Sequence, residues 1–339
     1  DVGDEMRAYA PRFGEASANY ALLNRGKRAF GADLKDPVQR RRVLDLAREA
    51  DIVIEQFRPG VADRLGLGYA HLLEVNPRVI YCSISGYGPE GEFAHRAGHD
   101  LNYLAESGLL GVVVDGTGAP SLPPTVIADI AGGTYPAVVN ILLALRSRDT
   151  TGAGCHIELS MAHNLQMLSY GYFASYQAGD GWPRPGKELL TGGSPRYHVY
   201  PTKDGRHVAC AALEQKFWDR LTELIGLDPS YRDDVGREPD VIAALTALFA
   251  SESAQHWRQV LGNEDVCTSV VATFNEAVEN GLLDVDSPVR VATPTGEASF
   301  GALAMPISRA LRKQPSAEPY PVLSPLVDGT SWAHPGADA

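Results

Sequence analysis

The strongest constraint on this chain is an alternation that occurs twice before Gly88. The stretch VLDLAREA, from Val43 to Ala50, has helical spacing and runs straight into DIVIEQF, a β-branched run bounded by RPG. The same order returns when AHLLEVNP leads into VIYCSISGYG. A helix feeding a short buried strand that stops at a glycine turn is the unit from which parallel sheets are built, and it presents loops at the strand ends. The fold class is therefore α/β, with a Rossmann-like large domain built on a parallel sheet, and ligands are expected on the strand-end loops.

Further along, TYPAVVNILLALRSRDTTGAG predicts a long apolar helix stopped by glycine, followed by the strand CHIELSM. Asp129, in PPTVIADIAGG, then stands at or near a helix start. The stretch from Gln177 to Gly205 is dense in Gly and Pro and predicts a long excursion between domains. Beyond it RHVACAAL has strand character, and EQKFWDRLTELIG, DVIAALTALFASES and AQHWRQVLGNED have helical spacing, which makes a smaller α+β domain. The expected division is 1–190 for the large domain, 191–293 for the small one, and 294–339 for a tail returning to the large body.

A formal net charge of −12 disfavours nucleic acid or an anionic membrane as the main partner, since both are held through basic surface. The apolar run YPAVVNILLALRS is too short to span a bilayer. Cys82, Cys155, Cys210 and Cys267 lie far apart with no CxxC spacing, so a reduced cytoplasm is expected. His198, His207 and His256 show no HExxH or paired spacing, and no metal site is expected.

Five stretches, NRGKRAFGADLKD, EQFRPGVADRLGLGY, YCSISGYGPEG, GHDLNY and TVIADIAGG, resemble in that order the class III coenzyme A transferase (CaiB/BaiF) family, which also contains the α-methylacyl-CoA racemases. GHDLNY, LLTGGSPRYHVY and ALEQKFW are most similar to the racemase branch. The resemblance implies an interlocked homodimer, a site between large and small domains drawn from one or both protomers, an acyl-CoA thioester as substrate, and no separate cofactor, coenzyme A being part of the substrate. Family members normally open with a βα unit of about forty residues for which this sequence has no counterpart, so an incomplete nucleotide pocket is expected.

Racemising the carbon beside a thioester requires removing an α-proton from one face and returning one to the other. An imidazole with an ordinary pKa of about 6.5 suits one face and a carboxylate with a raised pKa the other. The resemblance assigns these roles to His99 and Asp129, and gives Glu214 the part of orienting the histidine. The main-chain N–H of Asp129 is the expected donor to the enolate oxygen. For the phosphates of coenzyme A, Arg25, Lys27, Arg28, Arg58 and Arg64 are the available basic cluster. The resemblance implies adenine and ribose contacts from Ala32, Asp33, Leu34, Lys35, Gln56, Phe57 and Arg58, and a thioester channel bordered by Gly98, Asp100, Leu101, Asn102 and Tyr103.

Taken alone, His99 reads as a hydrogen-bonded loop histidine, Asp129 as an N-cap, and Glu214 as an acid placed in a first turn by the helix dipole. Met161 and Met167 read as helix packing. The leading expectation is a 2-methylacyl-CoA racemase or epimerase working by 1,1-proton transfer. The alternatives are a coenzyme A transferase with Asp129 as nucleophile, and a CoA-binding scaffold without turnover.

Overall fold

The computed structural model describes residues 3–283, 285–293, 296–304, 306–312, 318–328 and 330. The chain divides into two compact units: 1–53, 61–79 and 272–339 in the first, 54–60 and 80–271 in the second. The boundary expected near Leu190 falls within the second unit, and Pro294, where the tail is expected to begin, lies outside the described residues.

In the first unit the helix expected over 43–50 spans Pro37–Ala47 instead. Asp36 starts it early: its carboxylate accepts the Val38 N–H at 2.9 Å, and Pro37 occupies the first turn, where a missing N–H costs nothing. The tail returns to this unit, as Leu323–Pro325 pairs in parallel with Ala29–Gly31. Arg42 ties it down through Asp328 Oδ1 at 2.7 Å and the Leu326 carbonyl at 3.0 Å.

The second unit holds the strand β2 (Ile80–Ser85) between β1 (Ile52–Glu55), whose latter half belongs to this unit, and β3 (Cys155–Ser160). β2 and β3 run parallel, in register from Ile80 opposite Cys155 to Ser85 opposite Ser160. Between them in sequence come α1 (Asp100–Glu106), a π-helical turn over Ala128–Thr134, and α2 (Tyr135–Thr151), which stops at Gly152 in the left-handed conformation, φ 75°. Gly152 here does what the sequence predicts, because a residue without a Cβ adopts that conformation without clash.

The continuous helical stretch Ala128–Thr151 is long and apolar enough to cross a membrane by length and composition, which corrects the expectation that the run is too short. The π-turn supplies the additional length. Ala137, Ile141, Ala144 and Arg148 form its buried stripe, and the helix packs on β2 and β3. Val138, Val139, Leu142 and Leu143 remain exposed on it.

α3 (Met161–Asn164) and α4 (Tyr170–Ala178) follow β3. The strands β4 (His198–Pro201), β5 (His207–Cys210) and β6 (Thr268–Val270) form an antiparallel sheet covered by α5 (Gln215–Leu224), α6 (Glu238–Ala250) and α7 (Ala254–Leu261). Trp218, Tyr200, Phe249 and Trp257 fill its core. Their polar atoms all find acceptors: Trp218 Nε1–H the Arg232 carbonyl at 2.7 Å, Trp257 Nε1–H the Phe249 carbonyl at 2.9 Å, and the Tyr200 hydroxyl the Pro195 carbonyl at 2.7 Å.

Candidate active site

β2 runs into the turn Gly86, Tyr87 and Gly88, and Gly86 and Tyr87 line a cleft of about 430 Å³ within the second unit. His99 sits at the other side as the N-cap of α1, with extended backbone. Its own N–H donates to Asn102 Oδ1 at 3.0 Å while its carbonyl accepts the Asn102 N–H at 2.8 Å, so Asn102 closes the turn and leaves the imidazole exposed.

Tyr103 fixes the residue before the histidine. Its hydroxyl donates to the Gly98 carbonyl at 2.6 Å, and its ring is edge-on to Tyr87 at 5.1 Å. The phenol fills the space between two glycines: a Cβ on Gly86 would lie 2.6 Å from the hydroxyl oxygen, and one on Gly98 would lie 2.8 Å from the ring. Burial raises the Tyr103 pKa, with the charges of Asp129 and then Asp100 adding to the shift. Tyr87 is pushed up to about 12, first by burial and then by its bond to Glu106.

Asp129 lies in the first turn of the π-helix, half-buried. Its main-chain N–H, expected to face the enolate oxygen, donates instead to Asp100 Oδ1 at 2.9 Å. That expectation is corrected for a physical reason: Asp100 is only 7% exposed, and a buried carboxylate takes the nearest donor. Burial raises the Asp129 carboxyl pKa, the Asp100 charge raises it further, and His99 pulls it back. The two proposed proton carriers are therefore within electrostatic reach of one another. His99 lines the cleft itself, whereas Asp129 joins that corner through Asp100.

Among the other expected residues, Gln56, Phe57, Arg58, Gly98, Asn102 and Tyr103 line the same cleft. Asp100 is buried, and Leu101 is exposed but does not line it. Arg25, Lys27, Arg28, Ala32, Asp33, Leu34, Lys35 and Arg64 belong to the first unit. There Arg25 donates to the Leu22 and Leu303 carbonyls, Lys27 to Asn24 Oδ1 at 2.9 Å, and Arg28 lies over the Phe30 ring. The Asp33 N–H donates to Gln39 Oε1 and the Lys35 N–H to Asp33 Oδ1.

Glu214 is the N-cap of α5 and is exposed. The single chain does not join its side chain to His99. Arg96, ion-paired with Glu106 at 2.9 Å, and Met161 line the cleft without having been expected there. Met167, expected to pack, is 70% exposed and lines a second, apolar cavity of about 840 Å³ with Tyr170, Phe173 and Trp182. Among the described residues, no group of three His, Cys, Asp or Glu side chains gathers to hold a metal.

An imidazole lining a cleft, with a carboxylate of raised pKa within its electrostatic reach, suits proton exchange at a carbon acid, and such a carboxylate also suits nucleophilic attack on a thioester. The chain is similar to proteins of both kinds. The human alpha-methylacyl-CoA racemase is 35% identical over 265 residues, covering 76% of this chain and 68% of that protein. The acetyl-CoA:oxalate CoA-transferase of Acetobacter aceti is 33% identical over 294 residues, covering 81% and 72%. A CaiB/BaiF family protein from Brucella suis, known as a crystal structure, superposes with a TM-score of 0.76 at 25% identity, covering 94% of this chain and 86% of that one. With the model of CoA-transferase family III matching residues 1–323, the chain belongs to that family of enzymes.

Proposed function

We propose that the protein is a racemase or epimerase of 2-methylacyl-CoA thioesters. The observation that carries this reading is that His99 lines the cleft and its charge acts on the Asp129 carboxyl, which burial and Asp100 raise above its ordinary value. One group removes the α-proton as base, an enolate forms, and the other delivers a proton to the opposite face. With the Asp129 N–H taken by Asp100, the proposed donors for the enolate oxygen are the first N–H groups of α1, which have no intrahelical acceptor. The proton transfer itself calls for no redox cofactor or metal, coenzyme A being part of the substrate.

Arg58 at the cleft wall, with Gln56 and Phe57 beside it, supports coenzyme A binding there. Glu214 would reach His99 from a second copy of the chain, in keeping with its exposed position and the homodimer implied by the resemblance. Four free thiols, with Cys82 pushed up to about 11 by burial, fit a reducing cytoplasm.

The second reading, a CoA-transferase, is favoured by the similarity to the Acetobacter enzyme. Asp129 would attack the thioester carbonyl, expel CoA as thiolate to form a mixed anhydride, and then be attacked by that thiolate to give an aspartyl-CoA thioester, releasing the carboxylic acid. Incubation of a 2-methylacyl-CoA in deuterated water decides between them. Racemisation places deuterium at the α-carbon; a transferase leaves that carbon unlabelled, and borohydride or hydroxylamine then modifies Asp129 in the presence of acyl-CoA.

A further inference from the structure

The Asp129 carboxylate is carried on backbone that needs outside support. A π-turn holds one more residue than an α-turn, and here Pro136, four residues after Gly132, has no N–H to give the Gly132 carbonyl. In the turn Ala128–Thr134 the Gly132 carbonyl is taken from outside, by Asn164 Nδ2 at 2.7 Å. Asn164 is the last residue of α3, and α3 is itself anchored to the cleft wall: the Ala162 N–H donates to the Gly86 carbonyl at 2.9 Å, and the Ser160 hydroxyl, 3.4 Å from that carbonyl, accepts the His163 N–H at 3.2 Å.

The contact is close as well as polar. A Cβ on Gly132 would overlap the Met161 carbonyl oxygen, and one on Gly133 would lie 3.1 Å from Met161 Cγ. On the far side of the turn, Thr134 Oγ1 donates to the Asp129 carbonyl at 3.1 Å. The loop after β2, the turn after β3 and the π-turn are therefore locked together, and Asn164 supplies the side-chain bond from α3 to the π-turn.

We propose that Asn164 is a positioning residue for Asp129, its amide holding the Gly132 carbonyl and so maintaining the π-turn that aims the carboxylate. The proposal rests on Asp129 being the reacting carboxylate, which the racemase and transferase readings share. Because Pro136 has no N–H to offer, removing Asn164 leaves the Gly132 carbonyl without that donor, and the loosened turn lets Asp129 shift relative to His99.

The test uses Asn164→Ala and the near-isosteric Asn164→Asp, whose ionised carboxylate cannot donate. Amide hydrogen exchange of residues 128–134 is measured together with kcat and KM for α-deuterium incorporation and for CoA transfer. The expected result is faster exchange confined to the π-turn in both variants, a fall in kcat of roughly tenfold to a hundredfold, the size associated with small misplacements of a reacting group, and KM within about threefold of the parent value. A kcat within twofold of the parent in both variants overturns the proposal. So does protection lost throughout the second unit, with activity falling only as the folded fraction falls. If the parent protein performs neither reaction on any thioester, the functional reading fails separately, and the amide exchange alone decides whether Asn164 holds the turn.

Discussion

Asp129 combines two properties that compete. Burial and the neighbouring Asp100 raise its pKa, so the native state holds that proton more tightly than the unfolded chain does. The ionised carboxylate therefore costs stability above its folded pKa, and this cost disappears below the ordinary carboxylate range, where both states are protonated. Asp129→Asn is expected to raise the melting temperature at pH 7, to leave it unchanged near pH 3, and to lower α-proton exchange by about 10²–10⁴-fold, as read by calorimetry across pH and by deuterium incorporation. Asp100→Asn keeps an oxygen for the Asp129 N–H but removes a charge, so the acid limb of the pH–rate profile is expected to move to lower pH. His99 and Asp129 were legible as candidates because their short motifs carry the family resemblance. The bond between Asp100 and the Asp129 N–H was not, since it joins residues 29 apart and no local pattern marks which donor a buried carboxylate will take.

α1 and the π-turn are short elements that each carry one of the proposed reacting groups. Asn102 closes the first turn of α1 by accepting the His99 N–H, and Asn102→Ala is expected to cost about 0.5–2 kcal/mol, read in denaturant unfolding, with proton exchange slowed through a looser His99. Gly132→Ala would drive a methyl group into the Met161 carbonyl, so loss of α-proton exchange is expected even where circular dichroism shows the protein folded. Periodicity predicted α2 and both parallel strands, because their apolar spacing is strong and their ends are marked by glycine. It placed the start of Pro37–Ala47 too late, because Asp36 and Pro37 begin that helix ahead of its apolar stripe. It did not predict the π-turn, although a local signal exists in Pro136, whose ring crowds the Gly132 carbonyl in α-helical geometry and which has no N–H to offer it.

At the scale of the whole molecule, an exposed row of Val138, Val139, Leu142 and Leu143 on α2 carries more apolar surface than a helix facing only water usually keeps. A second copy of the chain is the proposed cover. Light scattering is expected to give the mass of a dimer, and Leu142→Glu with Leu143→Glu to shift it toward one chain; a monodisperse monomer of the parent protein would remove the homodimer from the account. Loss of proton exchange in the same variant would tie assembly to the site, as expected if Glu214 serves the histidine of the other protomer.

The order of helices and strands and the glycine stops followed from sequence alone, because periodicity and turn chemistry are local properties, while His99 and Asp129 were candidates through the family resemblance of their short motifs. Tertiary structure alone decided which partner takes the Asp129 N–H, that Tyr103 fills the space between Gly86 and Gly98, and that Asn164 holds the π-turn. Each of those depends on groups far apart in the chain meeting at hydrogen-bond or contact distance, and such meetings are set by how the elements pack.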